Sequence, residues 1–430
     1  MEKKNVLVFP AGNSGLDIYQ SLENNLHFEV FGISMREDHA GFVYPKDRLK
    51  VSSDFQITKP GFLHSLNQVL IEWNIQFIVP THDTVARYLM ENEENINAKI
   101  ICSPFETARI AEDKSLTYEI LKDRWYYPHV FGIDEEISFP VFLKPAVAAG
   151  AKGTVKIDDR ESFEAAYKEN PERLICEYLP GQEYTVDCFT NAKRELLFTG
   201  VRTRERITQG VTFLSRRAEL TSEIAAIAKD LNETFHFRGA WFFQTKKNTN
   251  GEQRLMEFSV RQAGTMAFYR QLGVNFAALS LFDAMDLPVK ILCNDLDLVL
   301  DRGTETLYDI HYEYDTLYLD FDDTLIVSNK VNTAVIQLVY QSINRGVKVV
   351  LLTKHSGDLE NSLLKNRLHA SMFDEIILLD PGAKKADYIK HDRAIFVDNY
   401  FPERMHVHEV CGIPVFDVDA VECLLDKRNS

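Results

Sequence analysis

"LMEFSVR", residues 255–261, alternates apolar and polar side chains. On a strand, that period of two puts Glu257, Ser259 and Arg261 on one face and Phe258 and Val260 on the other. Just upstream, "FFQT" (242–245) leads into "KKNTNGEQ" (246–253), a hairpin turn by composition. Across that hairpin, Gln244 presents an amide oxygen toward the same point as Glu257. Carboxylate, amide and hydroxyl oxygens beside an arginine suit magnesium carrying a triphosphate. A half-exposed sheet face with its polar residues outward accounts for the same pattern.

A triphosphate also needs cations and a loop that can fold over its oxygens. "AEDKSLTYEIL" (111–121) places Lys114 where a helix begins. "PVFLK" (140–144) ends on Lys144, and Pro145 stops that strand from continuing. "AVAAGAKGT" (146–154) follows at once, with Gly150 and Gly153 letting backbone N–H groups close over phosphate. Singly these features say little, since a lone lysine is most often a solvated surface residue. Their order says more.

A lysine in an "EDK" helix start comes first, then "FLKP" with its glycine loop, then "CEYLPGQEYTVD" (176–187). The strand carrying Gln244 and the Glu-x-Ser-x-Arg strand follow. This succession resembles the ATP-grasp superfamily, in particular the ATP-binding half of carbamoyl-phosphate synthetase-type and carboxylate–amine ligases, over roughly residues 1–295. The resemblance implies ATP and Mg2+ as cofactors. It implies that Lys114 and Lys144 hold the α/β-phosphates and that Glu177, Tyr178 and Leu179 line the adenine pocket. Glu183 would bind ribose, Gln244, Glu257 and Ser259 would face the metal, and Arg261 would hold the γ-phosphate or acyl phosphate. Arg204 or Arg206, in "VRTRERITQG" (201–210), would contact phosphate or acid. One position departs from the pattern: the family has asparagine where this chain has Ser259, a shorter ligand. A single ATP-grasp unit also argues against a full carbamoyl-phosphate synthetase, which carries two.

Ahead of that region, "NVLVF" (5–9), "FEVFGI" (28–33) and "QFIVP" (76–80) have strand length, with helix-like segments at 15–24 and 61–73. Such alternation implies a mainly parallel, Rossmann-like sheet. "PAGNSG" (10–15) reads as an anion cradle or as a plain tight turn. His82 and Asp83, in "VPTHDTVA" (79–86), read as loop caps rather than catalytic groups.

Past residue 295 the text changes. "LYLDFDDTL" (317–325) ends a strand on Asp320 and crowds Asp320, Asp322 and Asp323 together. Crowded carboxylates need compensation, most simply by a metal ion or a proton. "VVLLT" closes on Thr353, "PGAKKADYI" carries Lys384 and Lys385, and "AIFVD" closes on Asp398. Four such elements in order resemble the haloacid dehalogenase-like (HAD-like) phosphatases. The resemblance implies Asp320 as nucleophile, Asp322 as general acid and base, and Thr324 as the residue that fixes the loop. Thr353 and Lys384 or Lys385 would bind phosphate, while Asp320, Asp322 and Asp398 would surround magnesium. Asn399 stands where a second acidic residue is common, so either Asp398 suffices or Glu403 helps. The spacing leaves no room for an inserted cap domain, so the site would serve a phosphorylated small molecule under a neighbouring lid, or a larger phosphate ester.

A chain of 430 residues is too long for one core. A net charge of −16 argues against nucleic acid or an anionic membrane as partner. No apolar run reaches the length that spans a bilayer, and no signal peptide precedes the first strand. Six scattered cysteines read as reduced thiols of a cytoplasmic protein.

The expected fold class is therefore α/β and α+β, multidomain. A Rossmann-like subdomain would occupy 1–105 and the ATP-grasp antiparallel sheets 106–295. A junction would occupy 296–314, and a capless, doubly wound HAD-like domain 315–430. The expected function is bifunctional. A ligase would activate a small-molecule carboxylate as acyl phosphate for an amine-type acceptor, and a fused phosphatase would cleave a phosphate ester. Two alternatives stand beside it: a phosphatase with a regulatory ATP-binding module, and a ligase whose C-terminal domain is a non-catalytic interaction module. A homo-oligomer stays open.

Overall fold

The computed structural model describes residues 3–36, 38–148, 150–303 and 306–425. The expected first and last domains, the glycine loop and the junction each include a few residues outside these ranges. The chain divides into two compact units. The larger comprises residues 1–19, 28–266 and 276–290, and the smaller residues 20–27, 267–275 and 291–430.

The larger unit begins with strands β1 (Lys4–Phe9), β2 (Phe28–Ser34), β3 (Leu49–Val51), β4 (Ile75–Pro80) and β5 (Lys99–Ile100). They form one parallel sheet in the order β3-β2-β1-β4-β5. Val6 to Phe9 of β1 are wholly buried, because a parallel sheet is covered on both faces and demands a continuous apolar run. Helices Phe62–Glu72 and Asp83–Glu91 flank β4 in sequence.

Two antiparallel sheets follow. The smaller contains β6 (Val130–Phe131), β7 (Val141–Lys144), β8 (Val155–Ile157) and β9 (Leu174–Glu177), in the order β6-β9-β7-β8. The larger contains β10 (Glu183–Thr190), β11 (Leu196–Thr203), β12 (Arg206–Thr208), β13 (Val211–Ala218), β14 (Gly239–Lys247) and β15 (Gln253–Ser259). Its order within this unit is β15-β14-β10-β11-β13, with β12 on β13. One face packs Val186, Cys188, Val201, Trp241, Phe243 and Phe258 against helix Ser222–Thr234 through Ile224, Ile227 and Leu231. The opposite face carries Thr185, Gln244 and Glu257, paired in register across three strands.

The period of two in β15 is broken once. Leu255 pairs with Thr245 and Glu257 with Gln244, so Met256 is one residue too many. This β-bulge lets Leu255 and Phe258 both reach the core while Glu257 faces the other way.

In the smaller unit, β16 (Leu298–Arg302) and β17 (Thr306–Ile310) form an antiparallel hairpin within the stretch expected as a junction. Strands β18 (Thr316–Leu319), β21 (Lys348–Thr353), β22 (Glu375–Leu378), β23 (Ala394–Val397) and β24 (Val415–Phe416) make a parallel sheet in the order β22-β21-β18-β23-β24. Between β18 and β21 lie only a two-residue-per-strand hairpin, β19 (Ile326–Val327) with β20 (Lys330–Val331), and helix Thr333–Asn344. Between β21 and β23 lie helix Leu359–Lys365, β22 and short 3-10 turns. Neither connection holds an inserted domain, as the spacing implied.

None of the six cysteines is in a disulfide, and four are buried. Among the described residues, no helix is long and apolar enough to cross a membrane.

Candidate functional sites

Helix Lys114–Leu121 starts where expected, with Asp113 capping it by accepting from the Ser115 N–H at 2.9 Å. Lys114 therefore sits in the first turn. Its ammonium reaches Glu257 Oε2 at 3.1 Å and donates to the Ala148 carbonyl at 3.2 Å. Lys144, at the end of β7, is 9% exposed and donates to the Tyr118 hydroxyl and to the Met256 carbonyl at the bulge. Burial, and then the thiol and acidic groups around it, push the Tyr118 phenol well above its ordinary range, so it stays neutral beside Lys144.

Lys114, Lys144, Gln244 and Glu257 line one cavity of about 210 Å³, together with Gly150, Glu177, Tyr178, Leu179, Glu183 and Arg204. Arg204 Nε pairs with Glu183 Oε1 at 2.5 Å, and Arg204 Nη2 donates to the Gly210 carbonyl at 2.8 Å. The acid expected on ribose and the arginine expected on phosphate are thus partners in this state. Glu177, which also lines the cavity, accepts from the His129 N–H at 3.0 Å and lies 3.4 Å from Arg254, so its side chain braces β9. Tyr178 carries the Lys156 ammonium over its ring.

The glycine loop closes against the end of "VRTRERITQG", a stretch quoted for its arginines and not for Gln209 and Gly210. Ala151 N–H donates to the Gln209 carbonyl at 3.3 Å. Gly210, at φ +80°, leaves no space for a Cβ, which would lie 2.4 Å from the Ala151 nitrogen. Gly150, at φ +65°, is in the same left-handed region. Gly153 packs on the Pro145 ring and is not among the cavity's lining residues.

A smaller cavity of about 100 Å³ shares Lys114, Ala148, Gly150 and Glu257 with the first and is bounded by Asp83, Phe242, Ser259 and Arg261. Here two expectations need correction. Ser259 Oγ, expected to face the metal, donates its proton to Asp83 Oδ1. Asp83, expected to be a loop cap, binds Arg261 at 2.8 Å and 3.1 Å. Burial works to raise the Asp83 carboxyl, but Arg261 and Ser259 together hold it below the usual carboxylate range.

Glu257 and Gln244 face each other in register and fit a magnesium site completed by phosphate oxygens. The Ser259 hydroxyl borders the adjoining cavity with Glu257 and gives its proton to Asp83. Among the described residues, no group of three or more His, Cys, Asp or Glu is placed to hold a metal without a substrate's help.

The smaller unit has its own cluster at the carboxyl ends of β18, β21 and β23, where open parallel sheets bind ligands. Lys385 Nζ lies 2.6 Å from Asp320 Oδ1 and 2.5 Å from Asp398 Oδ2. Burial and the Asp398 carboxylate push Asp320 up to about 6, against the pull of Lys385 and the Thr353 hydroxyl. Burial lowers Lys385, yet Asp398 and Asp320 hold it above its ordinary value, so it is a fixed cation. Two desolvated carboxylates with one ammonium between them are short of positive charge, which fits a divalent cation. Thr324 Oγ1 accepts from the Asn399 N–H at 2.9 Å and braces the loop.

Three expectations change here. Lys384 is exposed at the start of a 3-10 turn, and Lys385 alone enters the cluster. The Asp322 carboxylate stands apart from the Lys385-bridged pair, half-exposed, and binds His355 Nδ1 at 2.8 Å. Glu403 is occupied by the Lys354 ammonium and the Lys385 N–H. His355, which the motifs missed, is held by Ser362 Oγ at 2.9 Å from Nε2 and by the edge of Phe321.

Residues 169–296 match a family model described as "ATP-grasp in the biosynthetic pathway with Ter operon". That segment resembles ATP-grasp proteins, and about 70% of the chain shares an ATP-grasp-like fold with solved structures. Biotin carboxylase from Campylobacter jejuni, solved with an ATP analogue, superposes with a TM-score of 0.58 at 14% identity, covering 70% of this chain and 76% of that one. L-amino acid ligase from Bacillus licheniformis gives 0.55 at 16% identity, covering 70% and 81%. N5-carboxyaminoimidazole synthetase from Staphylococcus aureus, with ADP, gives 0.58 at 13% identity, covering 70% and 83%. At such identities the ATP-grasp likeness is one of fold. No curated protein matches the chain by sequence.

Proposed function

We propose that the chain is an ATP-dependent carboxylate–amine ligase joined to a HAD-like phosphatase. The observation that carries the ligase reading is that Lys114, Lys144, Gln244 and Glu257, from four separated segments, line one cavity. Lys144, desolvated against Tyr118, would hold the inner phosphates, and Lys114 would swing between Glu257 and phosphate. The closed loops at Gly150 and Gly210 would keep water from the terminal phosphate. A magnesium ion held by Glu257 and Gln244 would supply charge neutralisation. The acid's carboxylate oxygen attacks the γ-phosphorus and ADP leaves. The amine then attacks the acyl carbon and inorganic phosphate leaves, giving an amide. Arg261 would stabilise charge on the transferred group.

In the smaller unit, Asp320 Oδ would attack phosphorus while Asp322, as acid, protonates the departing ester oxygen. Water would then attack the aspartyl phosphate, its proton passing to Asp322, and phosphate would leave. Lys385 and Thr353 would hold the phosphate oxygens, and Asp320 and Asp398 would hold a divalent cation that offsets the remaining charge. The Lys385 bridge at the strand ends supports this reading.

The test is isotopic. With an acid labelled with 18O in its carboxylate, the ligase reading expects one 18O atom in the released phosphate. Amide formation with unlabelled phosphate would sink it. For the phosphatase, wild type should hydrolyse phosphate monoesters with magnesium, and Asp320→Asn should not. Equal hydrolysis by both would reject Asp320 as nucleophile.

A further inference from the structure

Ser259 and Asp83 lie 176 residues apart in sequence and meet at one wall of the smaller cavity. Asp83 is the first residue of helix Asp83–Glu91, immediately after the loop that follows β4. Its Oδ1 accepts from the Ser259 hydroxyl, and its Oδ2 accepts from Arg261 Nε and Nη2 at 3.1 Å and 2.8 Å. Arg261 Nη1 donates to the Gln262 carbonyl at 2.9 Å, and the guanidinium carbon stands 5.5 Å from the centre of the Phe242 ring.

A guanidinium has five N–H bonds in one plane. Three are spent on Asp83 and Gln262, which leaves one on each terminal nitrogen, a pair able to grip two oxygens of one anion. The guanidinium is held by Asp83 on one edge and Gln262 on another, with its carbon over the Phe242 ring. Asp83 itself is set by Ser259. The Arg261 and Asp83 side chains are 17% and 25% exposed on a cavity wall, so this is not a sealed structural pair.

We propose that Ser259 and Asp83 form a positioning pair for Arg261, and that Ser259 in this chain orients an arginine instead of ligating metal. Ser259 fixes the Asp83 carboxylate, and Asp83 fixes the guanidinium that receives the terminal phosphate. The inference rests on the ATP-site reading above. It assigns a role to the serine that breaks the Glu-x-Asn-x-Arg pattern, and to a carboxylate contributed by the parallel-sheet region.

The test is calorimetric titration of the full chain with ATP and with ADP across a range of Mg2+ concentrations. It compares wild type, Asp83→Ala, Ser259→Ala and Ser259→Thr, each checked by its melting curve. The ATP-over-ADP preference should fall roughly three- to tenfold in both alanine variants, the scale of one loosened charge-assisted hydrogen bond. Ser259→Thr, which keeps the hydroxyl, should restore it, and the Mg2+ midpoint should not move. A higher Mg2+ midpoint in Ser259→Ala would make the serine a metal ligand and overturn the proposal. So would an unchanged preference, or tighter ATP binding by Asp83→Ala, which would make Asp83 a competitor of phosphate. Phenylglyoxal modification of Arg261, mapped by mass spectrometry, reads the clamp without nucleotide and should be faster in both alanine variants. Equal rates would overturn the clamp itself. Failure of wild type to bind any nucleotide would instead remove the ATP site beneath it, which is a different result.

Discussion

Lys385 stands between two carboxylates, 2.6 Å from Asp320 and 2.5 Å from Asp398, with its own side chain 4% exposed. Removing it leaves two buried anions without their cation. Lys385→Met should destabilise the smaller unit by about 3–5 kcal/mol, the usual cost of breaking a buried pair from one side. Magnesium should recover part of that loss. Melting curves with and without Mg2+ should show a larger metal-induced rise in Lys385→Met than in wild type.

His355 holds the Asp322 carboxylate from one side while Ser362 holds His355 from the other. In the phosphatase reading, His355→Ala should lower kcat about tenfold with little change in KM, because a loosened acid transfers its proton less often. Ser362→Ala should show a smaller effect of the same kind. Steady-state kinetics on a phosphate monoester would measure both. An unchanged kcat would leave His355 as packing.

In the larger unit, Gly210→Ala should weaken ATP binding at least tenfold, since its φ is left-handed and its Cβ would strike the Ala151 backbone. The melting temperature should move less than the affinity, because the strain falls on two surface loops. Parallel titration and thermal unfolding would compare the two.

Acid groups in the smaller unit give a pH signature. Burial, and then Asp417, push the Asp419 carboxyl up to about 7, while Arg270 and Arg404 pull it down. Burial and Glu422 likewise raise Glu23 to about 7. A raised acid binds more protons folded than unfolded, so its stabilisation is complete below the unfolded value and is lost as pH rises through about 7. The smaller unit should therefore melt lower at pH 8 than at pH 6. Each group contributes at most about 1.4 kcal/mol per pH unit. Asp419→Asn should flatten the dependence. Melting curves across that range check the sign.

Much of the site was legible because its signals are local. The alternation of "LMEFSVR" set Glu257 opposite Gln244, and "DFDDT" marked a strand end on Asp320. What was hidden depends on partners far away in sequence. Period two could not reveal the extra Met256, since a bulge is visible only against its paired strand. Asp83 read as a cap because Ser259 and Arg261 arrive some 176 and 178 residues later. Two adjacent lysines are alike in sequence, and only the 3-10 turn decides that Lys385 goes inward. The β16–β17 hairpin passed for a junction although "DLDLVLD" (295–301) alternates and buries Leu296, Leu298 and Leu300, because its partner strand is short and no turn signature marks the pair.

The central claim, two separate phosphate-handling centres in one chain, is tested most directly by ADP formation with a panel of carboxylic acids and amines. Wild type should release ADP when an acid is added, and that release should survive Asp320→Asn and be lost in Glu257→Ala. ADP release that persists in Glu257→Ala, or that disappears in Asp320→Asn, would contradict it.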